Sequence, residues 1–273
     1  MESTRPFLLR TLSALTLLVG MSTAATGQTA VDLELVLAVD VSLSMDFDEQ
    51  KLQRDGYAAA FRHPDVVAAI RAGGTGRIAV TYVEWAGVGQ HRTVVPWTVI
   101  DGLQSAATFA DRIEDEPILP NRRTSISSAL DFAAGLFASS GVQGVRRVVD
   151  VSGDGANNQG DLVEYARDRV VAQNITINGL PILLKSANAS GFFDSKDLDI
   201  YYEDCVIGGF GAFLVPVREA SEFPAAIRRK LILEISSAVP QLVPVQFAVE
   251  RPPRVDCLMG ERQWQLWMLD DPN

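Results

Sequence analysis

The sequence predicts an α/β fold in which helices cover both faces of a doubly wound, mostly parallel sheet of six strands. Short apolar runs alternate with helix-like segments over most of the chain, as they do in such sheets. The clearest strand is 33–39, because an almost purely apolar run is typical of a strand buried on both faces. A Gly-containing connection joins the runs 78–85 and 92–97, which predicts an antiparallel hairpin, and Pro96 suits an edge strand.

Each further element has a sequence signal of its own. Asp46 and Glu49 form a capping box that predicts the start of a helix. The last long helix has large apolar residues four apart, as an amphipathic helix does. In chain order, the predicted strands are 33–39, 78–85, 92–97, 145–151, 175–180 and 212–217. The predicted helices are 46–61, 104–113, 125–137, 161–172, 198–204 and 219–237.

Residues 1–30 have the pattern of a secretory signal peptide. Arg5 and Arg10 precede an apolar stretch at 12–20, and small residues follow at 22–25. The apolar stretch is shorter than the roughly 20 residues that a membrane-spanning helix needs, and no later segment reaches that length. We therefore expect a periplasmic or secreted bacterial protein with no integral membrane segment after the signal is removed.

The rest of the chain is predicted to be one domain with a tail. Residues 31–237 contain all the predicted strands, whereas 238–273 is too short for a second domain and is expected to pack on the first. Cys205 and Cys257 are the two cysteines, and an even count in an exported chain favours one disulfide between them. The alternative is two unrelated buried thiols.

The composition is that of an acidic globular protein. The 273 residues are 47% hydrophobic and 21% charged, which gives no sign of bulk disorder. With 34 acidic and 24 basic residues the formal net charge is −10. Because nucleic acids and anionic membranes attract basic surfaces, neither is an expected partner.

The strongest functional signal is a group of oxygen-bearing side chains where the strand 33–39 ends. Asp40, Ser42 and Ser44 occupy alternate positions there. Ligands bind outside the carboxyl ends of strands in open α/β sheets, and such oxygen ligands suit Mg²⁺ better than zinc. Asp and Ser are also favoured helix caps, so the motif taken alone leaves both interpretations open.

Two later positions extend this motif. Thr124 precedes a predicted helix, and Asp154 follows the apolar run 145–151 and stands before Gly155. Thr124 alone could cap the helix, and Asp154-Gly155 alone could be a turn. The order of all these residues together is harder to attribute to chance.

With these residues the chain resembles the von Willebrand factor A-domain family over about 32–237. The family writes its metal-ion-dependent adhesion site as D-x-S-x-S, a Thr in a later loop and an Asp before Gly. The matching residues here are Asp40, Ser42, Ser44, Thr124 and Asp154. Residues 150–158 and Asp256-Cys257 also look like a bacterial subgroup of exported A-domain-like proteins of unknown function.

The resemblance implies a Rossmann-like sheet that carries Mg²⁺ or Mn²⁺ at one edge. Ser42 and Ser44 would bind the metal directly, whereas Asp40, Asp154 and Thr124 would bind it directly or through water. A carboxylate from a partner protein would complete the coordination, and this would be the binding event. The chain departs from the usual pattern at Ser152-Gly153, where one Ser or Thr is expected before the Asp.

Enzyme functions have weaker support in the sequence, so we expect a protein-binding domain that is not an enzyme. A phosphatase with an Asp nucleophile after its first strand normally has a second Asp two residues later, where this chain has Ser42. No G-x-S-x-G or Walker A motif occurs. The alternatives are a Mg²⁺-dependent hydrolase of the phosphatase type that uses Asp40, and a domain whose metal is purely structural.

Overall fold

The computed structural model describes residues 28–184, 197–236 and 252–270. It contains one sheet of five strands, with the order β3-β2-β1-β4-β5. All neighbouring pairs are parallel except β2 and β3, which are antiparallel. The strands are β1 (Thr29–Asp40), β2 (Ile78–Trp85), β3 (His91–Ile100), β4 (Val142–Gly153) and β5 (Thr176–Pro181). The predicted fold class, with its antiparallel edge strand, is confirmed.

Helices cover both faces of the sheet. The described helices are α1 (Phe47–Arg62), α2 (Pro64–Arg71), α3 (Leu103–Asp115), α4 (Ile126–Leu136), α5 (Val163–Val171), α6 (Leu198–Tyr201), α7 (Phe223–Ser236) and α8 (Met259–Asp270). A π-helical turn, Tyr202–Val206, continues α6. The predicted capping box of α1 is present, with Asp46 Oδ1 accepting from the Glu49 N–H at 2.8 Å.

Two apolar cores lie on opposite faces of the sheet, as alternation along β1 requires. Leu33, Leu35 and Leu37 belong to the core that α1, α2, α3 and α7 cover. Val36 and Ala38 belong to the core that α4, α5 and α6 cover. Burial on both faces accounts for the almost continuous apolar sequence of this central strand.

The sixth predicted strand, 212–217, is wrong as a full sheet strand. This segment lies beside β5, but it pairs with β5 only through isolated parallel bridges. The Val215 N–H donates to Gly179 O at 3.0 Å, and the Val217 N–H donates to Pro181 O at 2.9 Å. Pro181 has no N–H to return a hydrogen bond, so the ladder is interrupted where a continuous strand would need it.

The end of the chain is joined to the domain by a covalent bond. Cys205, in the π-helical turn, forms the predicted disulfide with Cys257, just before α8. No helix within the described ranges is long and apolar enough to cross a membrane. Residues 1–27 of the predicted signal peptide lie outside the described residues.

Candidate metal centre

The candidate site lies at the carboxyl ends of β1 and β4. Asp40 is the last residue of β1 and is fully buried. Val39 pairs with Ser152 in parallel register, so Asp40 lies level with the end of β4. Asp154 follows Gly153, the last residue of that strand. The sheet therefore brings two carboxylates from neighbouring strands to the same edge, where open α/β sheets bind their ligands.

Hydrogen bonds join four of the five predicted site residues. The Ser42 N–H donates to Asp40 Oδ1 at 2.7 Å, which fixes the orientation of this buried carboxylate. The Oγ atoms of Ser42 and Ser44 are 2.7 Å apart. Ser44 Oγ in turn donates to Asp154 Oδ1 at 2.5 Å. Alternate spacing in the D-x-S-x-S segment thus produces one cluster of oxygen atoms.

The fifth residue, Thr124, lies in a buried loop position beside the same cluster. Its N–H donates to Asn158 Oδ1 at 3.0 Å, and the Asn158 N–H donates to Thr124 O at 2.9 Å. Its Oγ1 would be 3.8 Å from a Cβ placed on Gly155, the residue after Asp154. The Thr124 loop and the Asp154 loop are therefore held against each other.

The Thr124 loop is also attached to the loop that follows β1. The Leu43 N–H donates to Asn121 O at 2.8 Å, and the Asn121 N–H donates to Val41 O at 3.0 Å. Asn121 consequently bridges to Ser42 in a short parallel pairing. Backbone hydrogen bonds therefore connect all three segments that supply site residues.

Gly153 gives the Asp40 carboxylate the room it occupies. A Cβ at this position would be 2.7 Å from Asp40 Oδ2 and 3.0 Å from the Tyr202 hydroxyl. Ser152-Gly153 is a departure from the usual pattern of one Ser or Thr before the Asp. In the structure the missing side chain allows the end of β4 to approach Asp40 closely.

The residues present fit a hard divalent cation. The donor set consists of carboxylate and hydroxyl oxygens, which Mg²⁺ and Mn²⁺ prefer to nitrogen or sulfur. The buried Tyr202 hydroxyl, next to Gly153, has no hydrogen-bond partner among the described residues. Burial, followed by the nearby Asp40 charge, raises the pKa of Tyr202 well above its ordinary value, so the hydroxyl stays protonated.

A site of this composition differs from the common protein metal clusters. The described part of the chain contains no group of three or more His, Cys, Asp or Glu side chains that could hold a metal. The candidate site has only two carboxylates, and three hydroxyls complete the set. The assignment of these five residues as metal ligands remains a prediction.

Two residues beside the site have structural roles. Glu84 and Trp85 lie at the same sheet edge as Asp40, since Asp40 pairs with Trp85. Trp85 is fully buried in the core. Glu84 is buried as well and forms an ion pair through Oε1 with Arg54 of α1.

Several residues around the site make contacts that the sequence does not indicate. Asn157 is fully buried, and its Oδ1 accepts from the Ser127 N–H at 3.0 Å. Its Nδ2 donates to Glu261 Oε1 of α8 at 2.7 Å. Arg123, a loop residue with φ of 74°, stacks on Trp264, also in α8. The polar Asn157-Asn158 pair was visible in the sequence, but its partners 100 residues later were not.

The family model described as a protein of unknown function, DUF1194, matches residues 30–239. The chain belongs to the DUF1194 family. No curated protein matches this DUF1194 chain. The family description gives no activity, so function has to be argued from the site.

Solved structures show that this DUF1194 protein has the fold of a von Willebrand factor A domain. It is similar to the pilus adhesin SpaC from Lactobacillus rhamnosus GG, with a TM-score of 0.55 and 11% identity over 77% of this chain and 31% of that one. A von Willebrand factor type A protein from Catenulispora acidiphila has a TM-score of 0.51 and 15% identity over 76% of this chain and 43% of that one.

A third similar structure comes from an animal matrix protein. Proximal thread matrix protein 1 of the mussel byssus has a TM-score of 0.54 and 15% identity over 77% of this chain and 49% of that chain. The same matrix protein has also been solved with a zinc-occupied MIDAS motif, the abbreviation for the metal-ion-dependent adhesion site. The DUF1194 chain spans only about a third to a half of the length of these proteins, and at these identities the likeness extends to the fold alone.

Proposed function

We propose that this protein binds a divalent cation, Mg²⁺ or Mn²⁺, and uses it to capture a carboxylate of a partner protein. The observation that carries this proposal is the hydrogen-bonded cluster of Asp40, Ser42, Ser44 and Asp154 at the carboxyl edge of the sheet. Thr124 lies against the same loop and supplies the fifth oxygen. The protein acts as an adhesion-type binding domain and has no catalytic role.

The charges of the site support capture of an acidic group. Asp40 and Asp154 contribute two formal negative charges, which balance those of a divalent ion, and the Ser and Thr hydroxyls are neutral. A cation held in this way remains electrophilic enough to bind a further carboxylate. The bound metal supplies the attraction, while the loops of this chain fix the direction from which the partner approaches.

The surroundings of Asp40 favour binding over hydrolysis. Its Oδ1 accepts a hydrogen bond from the Ser42 N–H, and a Cβ on Gly153 would lie only 2.7 Å from Oδ2. A phosphatase-type nucleophile would need a free oxygen aimed at the substrate and an acid partner two residues later, and Ser42 occupies that position. Neighbouring folds that include an adhesin and a matrix protein agree with a binding role.

Location outside the cytoplasm belongs to the same proposal. The disulfide between Cys205 and Cys257 is compatible with an oxidising compartment, and residues 1–30 have the composition of an export signal. Such a location suits a protein that captures partners on or outside the cell envelope. We expect the protein in the osmotic-shock or culture-medium fraction of a bacterial host, and a cytoplasmic fraction would contradict this.

Calorimetric titration of the purified protein with Mg²⁺ and with Mn²⁺ tests the metal step. We expect saturable binding at one site, lost in the double variant Ser42→Ala, Asp154→Ala. The matched control is Ser139→Ala, Asp48→Ala, which removes the same two groups from exposed positions and should bind like the wild type. No binding by folded wild-type protein would contradict the proposal.

The capture step is tested with immobilised peptide pairs that differ only in Asp versus Asn. We expect retention of the Asp member in Mg²⁺ or Mn²⁺, loss of retention in EDTA, and loss in the Asp40→Asn variant. Equal retention of both members would contradict carboxylate capture. Metal-dependent hydrolysis of p-nitrophenyl phosphate that disappears in Asp40→Asn would instead favour the hydrolase.

A further inference from the structure

The C-terminal helix α8 contacts both loops that frame the candidate metal site. It lies more than 100 residues after these loops in the chain, and the disulfide to Cys205 attaches its start to the domain. One contact is made to the loop of Asp154 and another to the loop of Thr124. These two contacts involve different residues of the helix, Glu261 and Trp264.

Glu261 holds the segment that follows Asp154. Its Oε1 accepts the Asn157 Nδ2–H at 2.7 Å, while Asn157 also accepts from the Ser127 N–H and donates to Asp161 O. Every polar group of the Asn157 side chain is thus engaged, and Glu261 supplies one of the partners. Burial raises the pKa of the Glu261 carboxyl, which agrees with its position between helix and loop.

The backbone of α8 lies directly against the same segment. A Cβ on Gly260 would fall well inside van der Waals contact with the Asn157 carbonyl group. The helix can approach this closely because position 260 has no side chain. Any larger residue there would have to displace either α8 or the Asp154 loop, since both contacting groups are backbone.

Trp264 holds the residue before Thr124. The Arg123 guanidinium carbon lies 3.3 Å from the centroid of the indole ring, which is a close cation–π contact. Arg123 has a φ of 74°, a conformation that residues other than glycine adopt only when the surroundings hold them there. The stacked indole helps to hold Arg123 in this conformation. Because Thr124 is the next residue, its position depends on Arg123.

We infer that α8, tethered by the disulfide, is a positioning element of the metal site, in which Glu261 and Trp264 hold the Asp154 and Thr124 loops in the geometry that binds the cation. This inference rests on the proposed function, because it assigns a role in metal binding. It extends the site beyond residues 32–237 and gives the disulfide a functional role as well as a structural one. The ligand used to test this inference is the metal ion itself.

Metal titration of α8 variants tests this role. We expect three variants to bind Mn²⁺ on the order of 10-fold more weakly than the wild type. They are Glu261→Ala, Gly260→Ala and the double variant Cys205→Ser, Cys257→Ser. This loss is at the lower end of what is found when residues that support metal ligands are removed. Glu261→Gln keeps an oxygen that can accept from Asn157, so it should restore most of the affinity. Trp264→Leu keeps an apolar contact without the cation–π interaction and should weaken binding.

Two controls separate positioning from general damage. Gln265→Ala alters an exposed residue of α8, and Gly135→Ala adds a methyl group to α4 where nothing lies within 4 Å, so both should bind like the wild type. Circular dichroism checks that each variant is folded. Hydrogen exchange should rise at 121–125 and 154–158 in the variants with weakened binding, and not elsewhere in the sheet.

The possible results distinguish this inference from the proposed function. Wild-type Mn²⁺ binding together with unchanged affinity in Glu261→Ala and in the double cysteine variant would overturn the positioning role and leave the proposed function standing. Equal weakening by Glu261→Gln and Glu261→Ala would also overturn it. Absence of metal binding in the folded wild type would overturn both.

Discussion

Asp150 in strand β4 and Asp154 just after it lie four residues apart and are buried in different surroundings. Asp150 lies in the middle of the strand and is fully buried, with Lys230 Nζ of α7 at 2.6 Å from its carboxylate. Asp154 lies just past the strand, 9% exposed, and accepts a hydrogen bond from Ser44. One carboxylate has a cation from its own chain, and the other belongs to a cluster of hydroxyls at the sheet edge.

The surroundings of Asp150 are closed by further groups of the chain. Lys230 also lies 2.5 Å from Glu234, and Asn178 donates to the same Glu234 carboxylate at 3.1 Å. Tyr57 donates to Asp150 at 3.4 Å. A carboxylate that is paired with a cation of its own chain has a structural role. A carboxylate at a sheet edge among hydroxyls is suited to binding an external cation. The Asp150 cluster in β4 is therefore structural, whereas the Asp154 cluster at the end of this strand is the candidate functional site.

Among these variants, Lys230→Met should cost the most stability, because it removes the cation of the buried cluster and leaves an apolar side chain of similar length. Asp150 and Glu234 would then share a buried site without a positive charge. We expect the free energy of unfolding at pH 7 to fall by about 3–5 kcal/mol, as for other broken buried pairs. Urea denaturation followed by circular dichroism measures it.

The matched control is Lys51→Met, which breaks the exposed pair with Asp55 on α1. Its side chain is more than half exposed, so we expect a change of about 0–1 kcal/mol. If both variants lost the same small amount of stability, Lys230 would not be the cation that balances the buried carboxylates. Calorimetric Mn²⁺ binding by Lys230→Met should remain if the variant is folded.

The sequence predicted one of these clusters better than the other. Asp40, Ser42, Ser44 and Asp154 were predictable because their spacing at strand ends forces them to one edge of the sheet. The Lys230 cluster was not, because the periodicity of α7 suggests a wholly apolar inner face and gives no sign of a buried ion pair. A polar residue on that face finds its partners only through tertiary packing.

The interruption of the sixth predicted strand and the contacts of the C-terminal tail could not be predicted from the sequence. Apolar composition alone suggested a sixth strand at 212–217, whereas the missing N–H of Pro181 interrupts its ladder. For the tail, the sequence favoured the disulfide but could not indicate that Glu261 and Trp264 reach the loops of Asp154 and Thr124. Contacts between segments 100 residues apart depend on a docking geometry that local patterns do not encode.

The stability of the buried cluster should also depend on pH. Burial, and then repulsion by Asp150, raises the pKa of Glu234 from 4.5 to about 7, although Lys230 acts in the opposite direction. Because the folded pKa is the higher one, the folded state retains a proton that the unfolded state releases. The stabilising contribution is therefore complete below about pH 4.5 and is lost as the pH rises to about 7, by up to about 3 kcal/mol.

Urea denaturation of the wild type and of Glu234→Gln across pH 4.5–7.5 measures this contribution. The glutamine cannot titrate, so the decline should be much smaller in the variant. Parallel curves for the two proteins would show that Glu234 is not the titrating group.

A smaller loss of stability than for Lys230→Met is expected from a change at the candidate metal site. Gly153→Ala places a methyl group 2.7 Å from Asp40 Oδ2, and overpacking of this kind costs about 1–3 kcal/mol. Because the carboxylate must move, we expect Mn²⁺ affinity to fall at least about 10-fold. Gly155→Ala is the matched control, since its Cβ would make only ordinary contact with Thr124 at 3.8 Å. Equal Mn²⁺ affinity in both variants would mean that the close approach of Gly153 to the Asp40 carboxylate is not needed for metal binding.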